Sequence, residues 1–171
     1  MEKSLNTCVD TSLAEQIAEE FSCKSLKPGQ FSPLALAYIG DCIFDLIIRT
    51  VTVEHGNAPV NKLHRRVSGY VKAPSQMKMF HLIEEELTGE EIQVFKRGRN
   101  AKSYTSAKNA SITEYRIATG FEALIGYLYL DNRFDRALEL LHMAMERFDA
   151  QSKEETEKRE RTDAIKSADR S

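Results

Sequence analysis

Leu34–Arg49 reads LALAYIGDCIFDLIIR. Leu34, Leu36, Ala37, Tyr38, Ile39, Ile43, Phe44, Leu46, Ile47 and Ile48 fall on nearly every side of a helix drawn through it. That distribution predicts a central, buried helix rather than an amphipathic surface one. Ser32-Pro33 just before it supplies a side-chain cap and a first-turn residue with no N–H to leave unsatisfied, and the helix is expected to run to about Glu54. Into this apolar run are set Asp41 and, one turn on, Asp45. A carboxylate among apolar side chains is costly unless its charge is compensated. Gly40 costs about 1 kcal/mol of helix propensity relative to alanine, and a neighbouring helix packed close at that point would explain it.

Phe121–Leu130, FEALIGYLYL, has the same character, and Glu122 is the only charge in the fourteen residues from Ile117 to Leu130. Two readings of these acids are open. Each could pair with a basic residue or hydrogen-bond donor at the rim of the core, Arg49 or Arg116 being candidates for Glu122. Alternatively they form a metal or acid–base site. A joint explanation covers both stretches: small residues lie beside each acid (Gly40; Gly120 and Ala123), so the two helices can approach and present Asp41 and Glu122 to one cation. Mg²⁺ suits such a pair, because it commonly takes one or two carboxylates and completes its shell with water and substrate phosphate.

Outward from these helices the pattern stays helical. Residues 1–30 carry a weak amphipathic repeat (Leu13, Ala14, Ile17, Ala18, Phe21) broken by Lys27-Pro28-Gly29, which reads as a peripheral arm. After the His55–Pro59 loop, Asn61 is expected to cap a helix of Lys62–Val71, and Ser75 a helix to about Glu86 with Met77, Met79, Phe80 and Ile83 inward. Thr88-Gly89-Glu90-Glu91 matches a capping box. Ser111 or Thr113 opens the second key helix, and Phe134–Phe148 a last amphipathic one. From Gln151 onward six acids and six bases stand with almost no apolar residues, which predicts a disordered tail or a frayed helix. No period-two alternation competes, so the expected fold is all-α, with an arm (1–30), a main domain (31–148) and a charged tail (149–171).

Composition excludes several classes. Hydrophobic residues at 42% and charged residues at 29% suit one globular domain. No apolar run reaches the ~18 residues that span a bilayer, and the N-terminus carries no secretory pattern. Cys8, Cys23 and Cys42 have no paired spacing, so a reducing, cytoplasmic setting is expected, with Cys42 a small buried residue. The four histidines show no ligand spacing with cysteines, and no P-loop, dinucleotide fingerprint or nucleophile elbow is present.

The net charge of −2 hides an uneven distribution. Lys96–Asn109, KRGRNAKSYTSAKN, has five basic residues and no acid. It reads as a helix end running into a loop. Such a cluster can be only solubilising, or it can hold phosphates, for which Gly98 and the small polar Ser103, Thr105 and Ser106 are suited. Lys62, Arg65 and Arg66 form a second basic face. Duplex RNA is read mainly through its backbone and 2′-hydroxyls, so no aromatic platform is required.

LALAYIGDCIFDL, KRGRNAKS and FEALIGYLYL, in that order, resemble the signature segments of the ribonuclease III catalytic domain. The resemblance covers about Phe31–Arg147 and is strongest to the Mini-ribonuclease III group, small members without a double-stranded-RNA-binding domain. It implies an all-helical homodimer with a valley for duplex RNA, one active site per subunit, and Mg²⁺-dependent hydrolysis leaving 5′-phosphate and 3′-hydroxyl ends. Asp41 matches the catalytic aspartate and Glu122 the metal-binding glutamate, while Asp45 is at best an outer neighbour. Lys96, Arg97, Arg99 and Lys102 would hold the RNA backbone, with Asn100 and Ser103 adding polar contacts. Ala37 and Thr119 stand where larger family members carry further acids, which leaves fewer protein ligands. The group trims the 23S ribosomal RNA precursor in bacteria, so a large-subunit ribosomal protein is a conceivable partner. The alternative expectation is a non-catalytic RNA- or ribosome-binding module with the same fold.

Overall fold

The computed structural model describes residues 11–24, 26–102 and 111–168, with side chains to 162. The helices are α1 (Leu13–Glu20), α2 (Pro33–Glu54), α3 (Val60–Val71), α4 (Ala73–Ile83), α5 (Gly89–Arg99), α6 (Ile112–Leu130) and α7 (Phe134–Ala168). Among the described residues there is no strand, and the all-α expectation holds.

Eleven of the nineteen residues of α6 are buried, and α2, α4, α5 and α7 all pack on it. The central helix is therefore α6 and not α2. One side of α2 forms core through Leu36, Phe44, Ile47 and Ile48. The other leaves Leu34, Tyr38, Leu46 and Val53 exposed, at 38%, 78%, 50% and 54%. Cys42, expected to be buried, is exposed on this same side. Apolar girth in the sequence measured how much of α2 could be covered, whereas one chain supplies helices to cover only one side.

Aromatic rings knit the core. Phe121 of α6 meets Phe44 of α2 and Phe80 of α4 edge-on, each at 5.8 Å between centroids, and Phe80 stacks on Phe95 of α5 at 3.7 Å.

Helix starts follow cap chemistry with two corrections. Ser12, Thr88 and Ser111 cap α1, α5 and α6, each with the reciprocal glutamate of a capping box, and Ser32 caps α2. Asn61 and Ser75 do not cap: α3 begins at Val60 after Pro59, and α4 at Ala73 with Pro74 in its first turn, neither with a side-chain cap. A preset proline φ starts a helix without one. At the other end α7 continues unbroken to Ala168, with every side chain from 151 to 162 exposed. Glu154–Lys158, Glu155–Arg159 and Glu157–Arg161 set acid before base at a spacing of four, worth about 0.2–0.5 kcal/mol per pair in an isolated helix. Among the described residues no helix is long and apolar enough to cross a membrane.

Glu91 fixes the orientation of α5. Its carboxylate is fully buried and accepts from the Thr88 backbone N–H at 2.8 Å, from Arg133 at 3.1 Å and from Arg136 at 3.0 and 3.1 Å. Burial pushes this carboxyl up, but Arg136 and the Thr88 N–H outweigh it and hold it below the ordinary value. A buried charge so paired clamps the start of α5 to the start of α7.

Candidate active site

Glycines let three helices meet at one place. A Cβ on Gly40 of α2 would collide with the Glu122 carbonyl of α6, and one on Gly126 with the Leu36 carbonyl of α2. A Cβ on Gly98 of α5 would lie 2.6 Å from that of Ala123 and 3.0 Å from the Gly120 Cα. The backbones of α2 and α5 thus press on α6 on either side of Glu122. The close approach expected at Gly40 is present, and it brings Asp41 and Glu122 within electrostatic reach of each other.

Glu122 contrasts with Glu91. Burial first, and the neighbouring Asp41 charge second, push its carboxyl up to about 7, opposed only by a hydrogen bond from Gln76. Asp41 is raised as well, by burial and then by Asp45. Among the described residues no cation pairs with either acid. Arg49, one candidate partner, instead holds Asp45 at 2.5 Å within α2, and Arg116 is exposed. The rim salt-bridge reading thus applies to Asp45, while Asp41 and Glu122 remain two uncompensated carboxylates side by side.

Gln76 is a site residue that the sequence patterns did not single out. It is 1% exposed on the core side of α4. Its register was a usable signal: positions 76, 79, 80 and 83 share one helix face, so a glutamine stands in line with Met79, Phe80 and Ile83.

The predicted basic residues divide into two groups. Lys96, Arg97 and Arg99 form the last turn of α5, where they also complement the helix dipole. Gly98 seats that turn on α6 against Thr119, Gly120 and Ala123, the stretch of α6 that carries Glu122. Arg97 donates to the Phe31 carbonyl at 3.4 Å. Arg99 covers the Phe95 ring at 5.7 Å and donates to Asn100 at 3.2 Å. Lys96 and Lys102 are exposed. Ser103, with Thr105 and Ser106, lies outside the described residues. Lys62, Arg65 and Arg66 are exposed on α3, and Arg66 lines a cleft with His55, Tyr70 and Asp149 at the far end of α2. Thirteen residues of α2 separate that end from Asp41, about 20 Å of helix.

The Ribonuclease III domain family matches residues 34–133, a span that contains both carboxylates and the basic turn. The chain belongs to the ribonuclease III family. Its relatives place it in the Mini-ribonuclease III group. It is 47% identical to Mini-ribonuclease 3 of Clostridium tetani over 142 residues, 82% of this chain and 93% of that protein. Identity to Mini-ribonuclease 3 of Enterococcus faecalis is also 47%, over 120 residues, 69% of this chain and 91% of the other. A crystal structure of a Fusobacterium nucleatum protein superposes with a TM-score of 0.62 at 28% identity, covering 68% of this chain and 93% of that one. As a ribonuclease III-type protein the chain is an endoribonuclease.

The residues of this candidate site fit a hard divalent ion. Glu122, half-buried on α6, and Asp41, exposed on α2 rather than enclosed by its apolar neighbours, form an anionic pair without a cationic partner among the described residues. Among the described residues no group of three or more His, Cys, Asp or Glu side chains converges, which disfavours a four-ligand zinc centre and suits an ion that keeps water and substrate oxygens in its shell. Thr119, nearly buried, donates its hydroxyl hydrogen to the Tyr115 carbonyl of its own helix at 2.9 Å.

Proposed function

We propose that this protein is a Mg²⁺-dependent endoribonuclease of double-stranded RNA that leaves 5′-phosphate and 3′-hydroxyl ends. The observation that carries the proposal is the uncompensated pair Asp41 and Glu122, set by Gly40 and Gly126 at the contact of α2 and α6. The two carboxylates would hold the ion. When bound, it supplies a water of lowered pKa and neutralises charge on the phosphate. Lys96, Arg97, Arg99, Asn100 and Lys102 lead the RNA backbone to the carboxylates from the α5 turn, with Ser103 as a further polar contact. Lys62, Arg65 and Arg66 sit far enough along the molecule to meet the same duplex about 20 Å away.

The exposed apolar side of α2 supports a homodimer, since Leu34, Tyr38, Leu46 and Val53 need a cover that one chain does not provide. The likeness to the Mini-ribonuclease III group supports a role in maturing the 23S ribosomal RNA precursor in the cytoplasm, with a large-subunit ribosomal protein as a candidate partner.

The test is cleavage of a duplex RNA, first a generic one and then a 23S precursor stem with and without ribosomal proteins. Wild type should cleave with Mg²⁺. Asp41→Asn and Glu122→Gln should lose activity by roughly 10²-fold or more while still binding duplex. A wild type that binds duplex but never cleaves would point to the RNA-binding module instead, and equal cleavage by the variants would remove these residues from the chemistry.

A further inference from the structure

A cleft of about 620 Å³ opens where the end of α2 meets α3 and α7, and Arg66, Tyr70, Phe148 and Asp149 line it. Pockets of roughly 300–1,000 Å³ are of the size that takes small organic ligands. The end of α2 lies about 20 Å of helix from Asp41, so the chemistry proposed for the carboxylate pair gives these residues no part. Arg66 and Asp149 are opposite charges on one cleft. Yet among the described residues neither has an ion-pair partner, each other included.

Tyr70 accounts for half of Asp149. Its hydroxyl donates to Oδ1 at 2.7 Å, a tie between α3 and α7 that explains an acceptor at 149 but leaves the second oxygen over. Among the described residues no donor meets Oδ2. An ionised carboxylate only accepts, so Asp149 calls for a ligand that carries donors. Arg66 is exposed, only donates and keeps its charge, so it calls for an anion. The rings of Tyr70 and Phe148, 5.8 Å apart between centroids and tilted by 53°, add an apolar wall for a flat ring system. Gly69, also on the cleft, has nothing within 4 Å of an added Cβ, so the α3 backbone leaves room there.

A nucleotide combines all three requirements: an anionic phosphate, a flat base and, in guanine, two adjacent donors, N1–H and N2–H₂, that match a carboxylate. Uracil has a single N–H between two carbonyls and does not match. We infer that the cleft between α2, α3 and α7 binds a guanine nucleotide, with the base on Asp149 and the phosphate on Arg66. Two sources carry this chemistry: a free nucleotide, or an unpaired guanosine in RNA lying on the α3 face, since a paired base has no free Watson–Crick edge. The second source rests on the RNA reading proposed above, and the first does not.

The test uses full-length protein in EDTA, so that no metal draws phosphate to Asp41 and Glu122. The probes are GMP, UMP and inorganic phosphate, read by backbone amide chemical shifts. Expected is GMP binding that shifts Gly69, Tyr70 and Asp149 and is tighter than UMP binding by roughly 5- to 100-fold, the worth of one good two-point contact to a base edge. Asp149→Asn keeps an oxygen for the Tyr70 hydroxyl and should bring GMP down to UMP. Arg66→Gln should weaken both nucleotides and leave guanosine binding unchanged. Equal binding of GMP and UMP, phosphate binding as tightly as GMP, or unmoved cleft resonances overturns the proposal. These three comparisons need only wild type, so they decide it even if neither variant folds.

A second measurement separates the two sources. Glu122→Gln protein in Ca²⁺ is titrated with a fully paired RNA duplex and with the same duplex carrying one unpaired guanosine or uridine at successive positions. Tighter binding of guanosine than of uridine at one position, erased by Asp149→Asn, assigns the cleft to RNA. Duplexes that all bind alike, with GMP still preferred over UMP, assign it to a free nucleotide. Binding of no duplex at all would sink the RNA reading and leave the GMP titration to decide the cleft.

Discussion

Gly40 lies against Glu122 so closely that a methyl group on its α-carbon would overlap the Glu122 carbonyl oxygen. Gly126, one turn along α6, makes the reciprocal approach to Leu36 and Gly40. The contact of α2 and α6 is thus backbone to backbone at the turn that bears the acids. Gly40→Ala should destabilise the protein by about 2–4 kcal/mol in urea unfolding, although alanine is the better helix former, because main chain cannot yield as a side chain can. Gly69→Ala is the counterpart. That glycine sits in α3 with nothing within 4 Å of an added Cβ, so the same substitution should stabilise by about 0.5–1 kcal/mol. Equal effects at both positions would refute the close-contact account.

Metal-free stability should fall as pH rises. The Glu122 carboxyl titrates at about 7 in the folded protein against an ordinary 4.5, and Asp41 is also raised. The folded state thus holds these protons more tightly than the unfolded chain. That advantage is complete below about pH 4.5 and is lost through pH 7, roughly 3 kcal/mol for a shift of the Glu122 size. Mg²⁺ needs the deprotonated carboxylates, so it should stabilise strongly at pH 8 and hardly at pH 5. Urea unfolding in EDTA and in Mg²⁺ across this range measures both trends. Glu122→Gln should flatten them, and a flat wild-type profile would contradict the uncompensated pair.

Lys96 and Arg97 to alanine should weaken duplex binding and lower the salt slope by about one for each phosphate no longer neutralised. Binding isotherms in Ca²⁺ at several salt concentrations give the slope. Substituting Arg66 tests whether the α3 face touches the same duplex: an unchanged slope would confine RNA to the α5 side.

Leu46→Glu and Tyr38→Glu put charge on the exposed apolar side of α2 without entering the core. Sedimentation velocity should find wild type as a dimer and either variant as a monomer. A monomeric wild type at tens of micromolar would leave that side without its proposed cover.

From the sequence alone came the helical fold, the acids at 41 and 122, and the reason for glycine at 40. Each is a local or periodic signal: apolar spacing, a carboxylate out of place, a small residue where a side chain would normally stand. Which helix is central, and what each acid meets, are long-range facts. Both α2 and α6 read as apolar all round, but only α6 has neighbours on every side, so Cys42 and Tyr38 are exposed while Ala123 is buried. Glu91 and Glu122 both lie in the folded interior, yet one meets two arginines from the start of α7 and the other meets Asp41 and a glutamine. The cost of a buried charge depends on the groups within a few ångströms of it. Here those groups come from chain segments as many as 81 residues away (Asp41 from Glu122), so only tertiary packing could separate the structural glutamate from the one available to bind.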